Sequence, residues 1–139
     1  MEPIELAGCV ILDDYGRMLL IHRSHGALSH WELPGGKIEP NETSETAAAR
    51  ELSEGLDVAV QIVGDLGSGV FEQDDQEYHW HWFQAVLGGK EPVIMDTAEY
   101  DDLGYFELED LPSLALSPNM LELYPKIDSG EVALDTSLF

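Results

Sequence analysis

Residues 35–54, GGKIEPNETSETAAARELSE, constrain the fold more than any other part of the chain. Two glycines lead into a loop that contains a proline, and a run rich in alanine and acidic residues follows Thr43. Thr43 is a favoured N-cap residue and alanine favours helix, so the pattern predicts a helix over residues 43–56. Its buried stripe is expected to consist of Ala48, Ala49, Leu52 and Leu56.

The face of this helix that carries Glu51 and Glu54 has the chemistry of a metal site. The two carboxylates are about 60° apart around the helix axis, because successive residues turn by about 100°. Gly36 lets the backbone come close to a ligand and offers its carbonyl. Glu42 and Arg50 supply an acid and a base whose pairing would hold the loop against the helix. Ligands that are all oxygen favour Mg²⁺ or Mn²⁺, which bridge phosphate oxygens.

The same segment resembles the Nudix box of the Nudix (MutT-like) hydrolases. That pattern is G-x5-E-x7-R-E-U-x-E-E-x-G-U, where U is a bulky apolar residue. The matching residues of this chain are Gly36, Glu42, Arg50, Glu51, Leu52, Glu54 and Val58. Gly55 and Asp57 depart from the pattern, which has Glu and Gly at those positions. Asp57 would reach the carboxylates only if the helix ended at Gly55.

The resemblance implies one domain over residues 1–139 with an α/β (α+β) fold, an α/β/α sandwich around a mixed β-sheet. It also implies an enzyme in which water attacks the pyrophosphate of a nucleoside diphosphate derivative, with Mg²⁺ or Mn²⁺ as the cofactor. Carried over residue by residue, Gly36, Glu51 and Glu54 are implied metal ligands. Arg50 is implied to orient the carboxylates through Glu42 or Glu54.

Gly55 cannot coordinate a metal through a side chain, and three interpretations stay open. The site binds fewer metal ions and still turns over, a carboxylate from elsewhere replaces the missing ligand, or the protein binds nucleotides without hydrolysing them. Glu99 in DTAEYDD is the candidate replacement, as metal ligand or general base, because it falls where many relatives carry a further acid. Its neighbours Asp96, Asp101 and Asp102 are the alternatives.

The segment EYHWHWFQAVL alternates as a strand does. Tyr78, Trp80 and Trp82 share one face, while His79 and His81 share the other. The structural interpretation is a sheet with one buried aromatic face. The functional interpretation is that an aromatic side chain, Trp80 or Trp82, stacks on a nucleobase. A two-histidine metal site at His79 and His81 is the weaker hypothesis.

The net charge of −22, from 28 acidic and 6 basic residues, limits the partners of the chain. It disfavours binding to nucleic acid or to anionic membranes, and a phosphate-bearing substrate would need divalent cations to screen its charge. Arg23 and Lys37 are the bases near the motif besides Arg50, and they are predicted to contact the substrate. The alternative for Arg23 is a structural salt bridge in this acid-rich chain. The acid excess also fits a protein from a high-salt cytoplasm, the alternative being an acidic mesophilic protein.

The remaining sequence predicts the other elements and the location of the protein. No apolar run reaches the length of a membrane span and the first residues lack a signal-peptide pattern, so we expect a cytoplasmic protein. For the oligomeric state the expectation is a monomer or a homodimer. Cys9 lies in an apolar run and is expected to be buried. Strands are predicted over residues 4–13 and 17–23, as a hairpin around DDYG, and over 57–66 and 77–87. Residues 104–112 are predicted to form a short strand and a turn. Residues 24–30 are interpreted as a polar loop, and a last helix begins with Ser117 as N-cap and Pro118 at its first position.

Together these features predict an Mg²⁺-dependent pyrophosphohydrolase that acts on a nucleoside triphosphate or another nucleoside diphosphate derivative. Its partner would be a small-molecule nucleotide. The alternative is a nucleotide-binding or sensor module of the same fold with an impaired catalytic site.

Overall fold

The computed structural model describes residues 2–25 and 28–137, and the elements below are those of the described residues. In chain order they are β1 (Ile4–Ile11), β2 (Met18–His25), β3 (Leu28–Glu32), β4 (Gly35–Lys37), α1 (Ser44–Leu56), β5 (Val60–Gln73), β6 (Gln76–Leu87), β7 (Tyr100–Phe106), a 3-10 helix (Leu108–Ser113) and α2 (Pro118–Asp128).

The strands form two sheets. The first has the order β4-β1-β6-β5, in which β1 runs parallel to β6 and antiparallel to β4, and β5 and β6 form an antiparallel pair. The second has the order β3-β2-β7 and is antiparallel. The predicted mixed sheet is therefore confirmed.

The two helices cover opposite faces of the first sheet. Phe83 belongs to a core cluster that includes the buried side of α1, whereas its neighbour Trp82 belongs to a cluster that includes Met120 and Leu123 of α2. Successive strand residues point to opposite faces, and both faces are buried here. The predicted α/β/α sandwich is confirmed.

Helix α1 begins as its sequence predicts. The Thr43 hydroxyl oxygen accepts a hydrogen bond from the Thr46 backbone N–H at 3.1 Å, which satisfies one of the free donors of the first turn. The expected buried stripe is wrong at one position, because Ala47 is buried and Ala49 is partly exposed. The fully buried residues of the helix are Ala47, Ala48, Leu52 and Leu56.

The predicted hairpin between the first two strands is wrong. A turn does form, with the Gly16 N–H donating to the Asp13 carbonyl, but β1 and β2 then enter different sheets. One isolated bridge, between Leu12 and Met18, joins the two strands next to the turn. The turn residues determine where the chain reverses, while the strand partners are determined by packing of the whole domain.

Two other expectations need correction at the strands, and one short strand was not predicted. The interpretation of residues 24–30 as a loop falls partly on 26 and 27, which lie outside the described residues, and its flanks belong to β2 and β3. Strand β4 is only three residues long and includes Gly35 and Gly36, with Pro34 before it and Pro40 after it, residue types that favour a loop. Strand β5 extends beyond the predicted range to Gln73 and contains two register shifts against β6.

Two further expectations concern burial and membranes. Cys9 is fully buried as predicted, and burial raises the pKa of its thiol to about 12. Among the described residues, no helix has the length and apolar character that crossing a bilayer requires.

Helix α2 starts as predicted, with the Ser117 hydroxyl oxygen accepting from the Met120 N–H and Pro118 at the first helical position.

Candidate active site

Arg50 forms hydrogen bonds with carboxylates of α1 and of the loop before it. Its guanidinium donates to both oxygens of Glu42, at 2.7 and 3.1 Å, and to the Lys37 carbonyl at 2.9 Å. Nη1 also donates to Glu51 Oε1 and to Glu54 Oε2, each at 3.1 Å. The hydrogen bonds with Glu42 raise the pKa of Arg50 and lower the pKa of Glu42. Arg50 therefore pairs with both of the carboxylates that the sequence offered as partners, and it ties the loop to the helix.

The Glu51 carboxylate lies directly against the backbone of Gly36. A Cβ on Gly36 would come within 2.7 Å of Glu51 Oε1 and would overlap the rest of the carboxylate. Burial raises the pKa of Glu51, and the neighbouring Arg50 guanidinium partly opposes that rise. The carboxylate is thus held between a backbone without a side chain and a cation.

A cleft of about 220 Å³ opens over this face of α1, and we call it the carboxylate cleft. Glu51 and Glu54 line it from α1, and Glu99 lines it from the turn before β7. The complete lining is Ile21, Pro34, Gly35, Glu51, Glu54, Gly55, Leu56, Asp96, Glu99 and Tyr100. In the part of the chain that the structure describes, no three His, Cys, Asp or Glu side chains are already arranged to hold a metal ion. The donors of the cleft are nevertheless all oxygens, which is the set that suits Mg²⁺ or Mn²⁺.

The acidic segment before β7 divides between the cleft and the surface. Asp96 lines the carboxylate cleft together with Glu99, and its side chain accepts from the Glu99 backbone N–H at 3.2 Å. Asp101 instead bonds to His22 at 2.6 Å, and Asp102 accepts from its neighbouring backbone N–H. Of the four acids considered from the sequence, only Asp96 and Glu99 line the carboxylate cleft.

Gly55 lies on the wall of the carboxylate cleft, and no neighbouring atom lies within 4 Å of the position that a Cβ would take. Helix α1 continues through Gly55 to Leu56. Asp57 follows in the left-handed conformation, with φ 56° and ψ 41°, and its N–H donates to the Ser53 carbonyl. The Asp57 side chain pairs with Lys90. Asp57 therefore caps the helix and does not replace the missing carboxylate.

Arg23 on β2 connects the carboxylate cleft with a second cavity. Its Nε donates to Glu32 Oε1 at 2.6 Å, Nη2 donates to the Tyr100 hydroxyl at 2.6 Å, and Nη1 donates to Glu99. A register shift between His22 and Arg23 interrupts the pairing of β2 with β7 at this point. Burial raises the pKa of Glu32, while Arg23 opposes the rise. The guanidinium thus joins Glu99 of the carboxylate cleft to Glu32, a partly buried carboxylate of the neighbouring cavity.

The second cavity, which we call the aromatic cavity, has a volume of about 360 Å³. Phe71 and Tyr78 form one wall, with ring centroids 5.1 Å apart and planes at 13°. Gly35 and Tyr100 line both this cavity and the carboxylate cleft, so the two adjoin. The complete lining is Leu6, Arg23, His30, Glu32, Gly35, Gly36, Phe71, Gln73, Asp74, Tyr78, Trp80, Tyr100, Ser117, Pro118 and Asn119.

Asn119, the second residue of α2, lines the aromatic cavity and was missed by the sequence analysis. It is 3% exposed, and its Oδ1 accepts from Trp82 Nε1 at 2.7 Å. Its Nδ2 is buried without a hydrogen-bond partner. A lone asparagine after a Ser-Pro helix start carries no sequence signal that distinguishes a buried cavity residue from an exposed one.

The residues predicted to contact a substrate are divided by the structure. Arg23 and Trp80 line the aromatic cavity, whereas Lys37 and Trp82 line neither cavity. Trp82 is 1% exposed in the core between the first sheet and α2, so the prediction that it stacks on a base is wrong. Lys37 is exposed at the end of β4. A separate cavity of about 500 Å³ is lined by none of the predicted site residues.

The two histidines of β6 bond to different partners. His79 Nδ1 lies 3.1 Å from Glu5 Oε1. His81 Nδ1 lies 3.0 Å from the Ser44 hydroxyl, and its Nε2 lies 2.9 Å from Asp65 Oδ1. Within the described residues these side chains do not form a group that could hold a metal. The hypothesis of a two-histidine metal site is therefore not supported.

Comparison with known proteins gives matches over most of the chain. The NUDIX domain profile matches residues 4–127. A putative 8-oxo-dGTP diphosphatase of Bacillus subtilis (strain 168) is 29% identical over 110 residues, which are 79% of this chain and 70% of that protein. A MutT-like protein of Streptomyces ambofaciens is 39% identical over 72 residues, which are 52% of this chain and only 44% of that protein. The crystal structure of a MutT NUDIX hydrolase from Burkholderia pseudomallei superposes with a TM-score of 0.80 at 27% identity, covering 91% of this chain and 99% of that chain.

Proposed function

The chain belongs to the NUDIX domain family, and on that premise we propose that it hydrolyses the pyrophosphate of a nucleoside triphosphate or another nucleoside diphosphate derivative. The observation that carries the proposal is the junction of two cavities. The aromatic cavity and the carboxylate cleft share Gly35 and Tyr100 in their walls. A nucleotide whose nucleoside lies in the aromatic cavity would place its phosphates over the carboxylate cleft.

The aromatic cavity suits the nucleoside. Its volume of about 360 Å³ lies at the lower end of the range for small-molecule sites. Trp80, Tyr78 and Phe71 give it apolar walls, and aromatic surfaces of this kind stack on bases. We propose Trp80 and Arg23 as substrate-binding residues there, because both line the cavity.

Lys37 is the proposed contact for a phosphate outside the cavities. Among the described residues it is the one Lys or Arg side chain that forms no ion pair with a carboxylate, because the other five bases are paired. In a chain with 28 acidic residues, an unpaired ammonium group beside the Arg50 network is a favourable place for a phosphate oxygen. This assignment rests on charge and position.

The carboxylate cleft suits a divalent cation. Glu51, Glu54 and Glu99 line the cleft, and together with the carbonyl of Gly36, whose backbone lies against Glu51, they are the groups that would hold Mg²⁺ or Mn²⁺. When bound, the ion would neutralise the charge that builds up on the phosphate oxygens. Two observations support a divalent cation here. The donors of the cleft are all oxygens, and the Glu51 carboxylate packs directly against the Gly36 backbone.

The chain's own side chains would position the reaction. Arg50 holds Glu51 and Glu54 in one orientation through its hydrogen bonds, so the carboxylates need little rearrangement when the substrate arrives. Glu99 comes from a different element and is proposed as a further ligand or as the general base that takes the proton of the attacking water. Arg23 holds Glu99 at the boundary between the two cavities.

A nucleotide-binding module without turnover is the second candidate function. One observation favours it, since Gly55 leaves an open space in the cleft where the family pattern has a carboxylate. Such a protein would bind nucleotides in the aromatic cavity with little dependence on divalent cations.

The test is a panel of nucleoside triphosphates, sugar nucleotides and dinucleotides, incubated with Mg²⁺ or Mn²⁺ and with a chelator. Phosphate, pyrophosphate and nucleoside monophosphate are quantified as products. We expect release of a nucleoside monophosphate from at least one substrate, abolished by the chelator. Nucleotide binding without any product would favour the second candidate and contradict the proposal.

A further inference from the structure

Ser44, His81 and Asp65 form a chain of hydrogen bonds outside the candidate active site. The Ser44 hydroxyl lies 3.0 Å from His81 Nδ1, and His81 Nε2 lies 2.9 Å from Asp65 Oδ1. The three residues come from α1, β6 and β5, so the fold brings together groups that are far apart in the sequence. A hydroxyl bonded to an imidazole that is itself bonded to a carboxylate is the arrangement that makes a serine nucleophilic.

The partners of Asp65 determine which nitrogen of His81 carries the hydrogen. Asp65 Oδ1 accepts from the Gly67 N–H at 2.8 Å, and that bond, together with the one to His81, lowers the pKa of Asp65. An ionised carboxylate can only accept, so the neutral imidazole donates from Nε2 and keeps Nδ1 as the acceptor for the Ser44 hydroxyl. His81 therefore has the tautomer of a general base, with the two ring nitrogens exchanged relative to the serine proteases.

Ser44 and His81 line a cavity of about 260 Å³, which we call the histidine cavity because His79 lines it as well. No described residue lines both this cavity and the carboxylate cleft, so the two sites are separate. Ser44 is partly exposed and the His81 side chain is 32% exposed. A small molecule in the histidine cavity can therefore reach both the hydroxyl and the base.

The walls of the histidine cavity indicate which molecules it would admit. Ile38 and Val70 give it apolar surface, and its volume lies below the usual range for sites of drug-sized ligands. Glu5 also lines it, and the Asp65 carboxylate lies next to His81. These carboxylates would repel an anion, so the cavity favours a small uncharged molecule.

The first turn of α1 supplies backbone donors next to the Ser44 hydroxyl. Ser44 is the first residue of the helix, and the hydroxyl of the preceding Thr43 already accepts from the Thr46 N–H. Among the described residues, no acceptor is bonded to the N–H of Ser44 or to that of Glu45. Free N–H groups at this position favour the negative oxygen that forms when a nucleophile adds to a carbonyl group.

We propose that Ser44 and His81, with Asp65 as the positioning residue, form a second catalytic site that hydrolyses small uncharged carboxylic esters. Ser44 Oγ attacks the carbonyl carbon while His81 Nδ1 takes the hydroxyl proton. The bond from that carbon to the alkoxy oxygen breaks, and His81 gives the proton to the leaving alcohol. Water then attacks the acyl group on Ser44, again through His81, and releases the carboxylic acid and the free hydroxyl. The net reaction consumes the ester and water and needs no other reactant.

The first test is covalent labelling with diisopropyl fluorophosphate, a small uncharged reagent that joins its phosphorus to a nucleophilic serine and loses fluoride. We expect it to modify Ser44 in the folded wild-type protein, as located by mass spectrometry of peptides, and to stop doing so in urea. Ser53 is the matched control, because it is an exposed serine of the same helix outside the histidine cavity, and it should stay unmodified.

The second test measures kcat/KM for p-nitrophenyl acetate. We expect Ser44→Ala and His81→Gln each to lower it by about a hundredfold, because each removes a group that takes part in the proton transfer. Ser53→Ala should leave it unchanged. Melting temperatures close to that of the wild type would show that the variants are folded, and His81→Gln keeps a polar side chain of similar size.

Asp65 needs a measurement that distinguishes positioning from a structural contact. We expect Asp65→Asn to lower kcat/KM for the ester by about tenfold, since an amide no longer requires the Nε2 tautomer. Asp65→Glu restores the carboxylate and should recover most of the activity. Asp65 is largely exposed, so neither change should move the melting temperature.

A second serine in the same molecule provides a comparison without a cavity. Ser29 Oγ lies 3.2 Å from His22 Nε2, and His22 Nδ1 lies 2.6 Å from Asp101. These residues line neither the histidine cavity nor the two cavities of the proposed nucleotide site. Modification of Ser29 as fast as Ser44 would overturn the inference, because the cavity would then contribute nothing.

Two other results would also overturn it. One is a folded wild-type protein in which Ser44 stays unmodified. The other is ester hydrolysis within about twofold of the wild type in both Ser44→Ala and His81→Gln. Selective modification of Ser44 together with loss of ester hydrolysis in both variants would establish the second site.

Discussion

At the scale of the residue, the position of Glu51 depends on the absence of a side chain at Gly36. In Gly36→Ala the new methyl group would overlap the Glu51 carboxylate, which can move because it ends a flexible side chain. We expect the melting temperature to be nearly unchanged and kcat to fall by about a hundredfold, since a small displacement of a catalytic group has an effect of that size.

The control for this prediction is Gly64→Ala in β5, where a Cβ meets no atom within 4 Å and φ is not positive. It should change neither the melting temperature nor kcat. Full activity in Gly36→Ala would show that the reaction does not depend on the packing of the Glu51 carboxylate against the Gly36 backbone.

Gly55 is the residue at which this chain departs from its family pattern inside the cleft. Gly55→Ala should stabilise the protein by up to about 1 kcal/mol, because glycine is unfavourable in a helix and the space is open. Gly55→Glu should gain less stability, because it adds a negative charge to the last turn of α1 beside Glu51 and Glu54. Only Gly55→Glu adds a carboxylate, so only it should bind Mn²⁺ more tightly in a calorimetric titration. Equal Mn²⁺ affinity in the two variants would show that position 55 does not face the metal.

The residues of the site differ in how well the sequence alone predicts their place in it. Glu51, Glu54 and Arg50 could be predicted, because fixed helical spacing puts them on one face. Asn119 and the burial of Trp82 could not. Both faces of β6 are covered by helices, so alternation alone does not show which aromatic residue reaches a cavity and which is enclosed.

At the scale of the element, the C-terminus of α1 explains a second departure from the family pattern. Asp57 occupies a left-handed position where the pattern has glycine. A non-glycine residue there costs about 1–2 kcal/mol, and Asp tolerates the conformation better than most. We expect Asp57→Gly to be at least as stable as the wild type and Asp57→Ala to be about 1 kcal/mol less stable than Asp57→Gly, by chemical denaturation. The exposed pair with Lys90 adds little. Equal stability of the Ala and Gly variants would contradict the cap assignment.

Elements defined by local chemistry were predictable, and those defined by partners were not. The start of α1 at Ser44 and of α2 at Pro118 follow from the caps Thr43 and Ser117. The pairing of β1 with β6 and of the short strand β4 with β1 depends on contacts far along the chain, whereas β3 pairs with β2, the strand just before it. Turn residues and short polar segments carry no information about such contacts.

At the scale of the whole molecule, the charge of −22 should make stability depend on salt. Five of the six bases are already paired with acids, so most of the 28 carboxylates repel one another without a cation nearby. We expect the melting temperature to rise by roughly 5 °C between about 0.01 M and about 0.5 M KCl and then to level off, because screening lengths are short by then. Sucrose, which does not screen, should not reproduce the early rise. A flat melting temperature over that range would refute self-repulsion and the high-salt interpretation with it.

The central claim is that the Glu51 face of α1 is a working hydrolytic site even though Gly55 replaces a carboxylate. The most direct measurement is kcat/KM for the best substrate with Mg²⁺ in the wild type, in Glu51→Gln and in Glu45→Gln. Glu45 is an exposed acid of the same helix outside the carboxylate cleft, so it controls for the loss of one negative charge. We predict that Glu51→Gln lowers kcat/KM by about a hundredfold or more, while Glu45→Gln stays near the wild type. Equal activity in Glu51→Gln and the wild type would contradict the account.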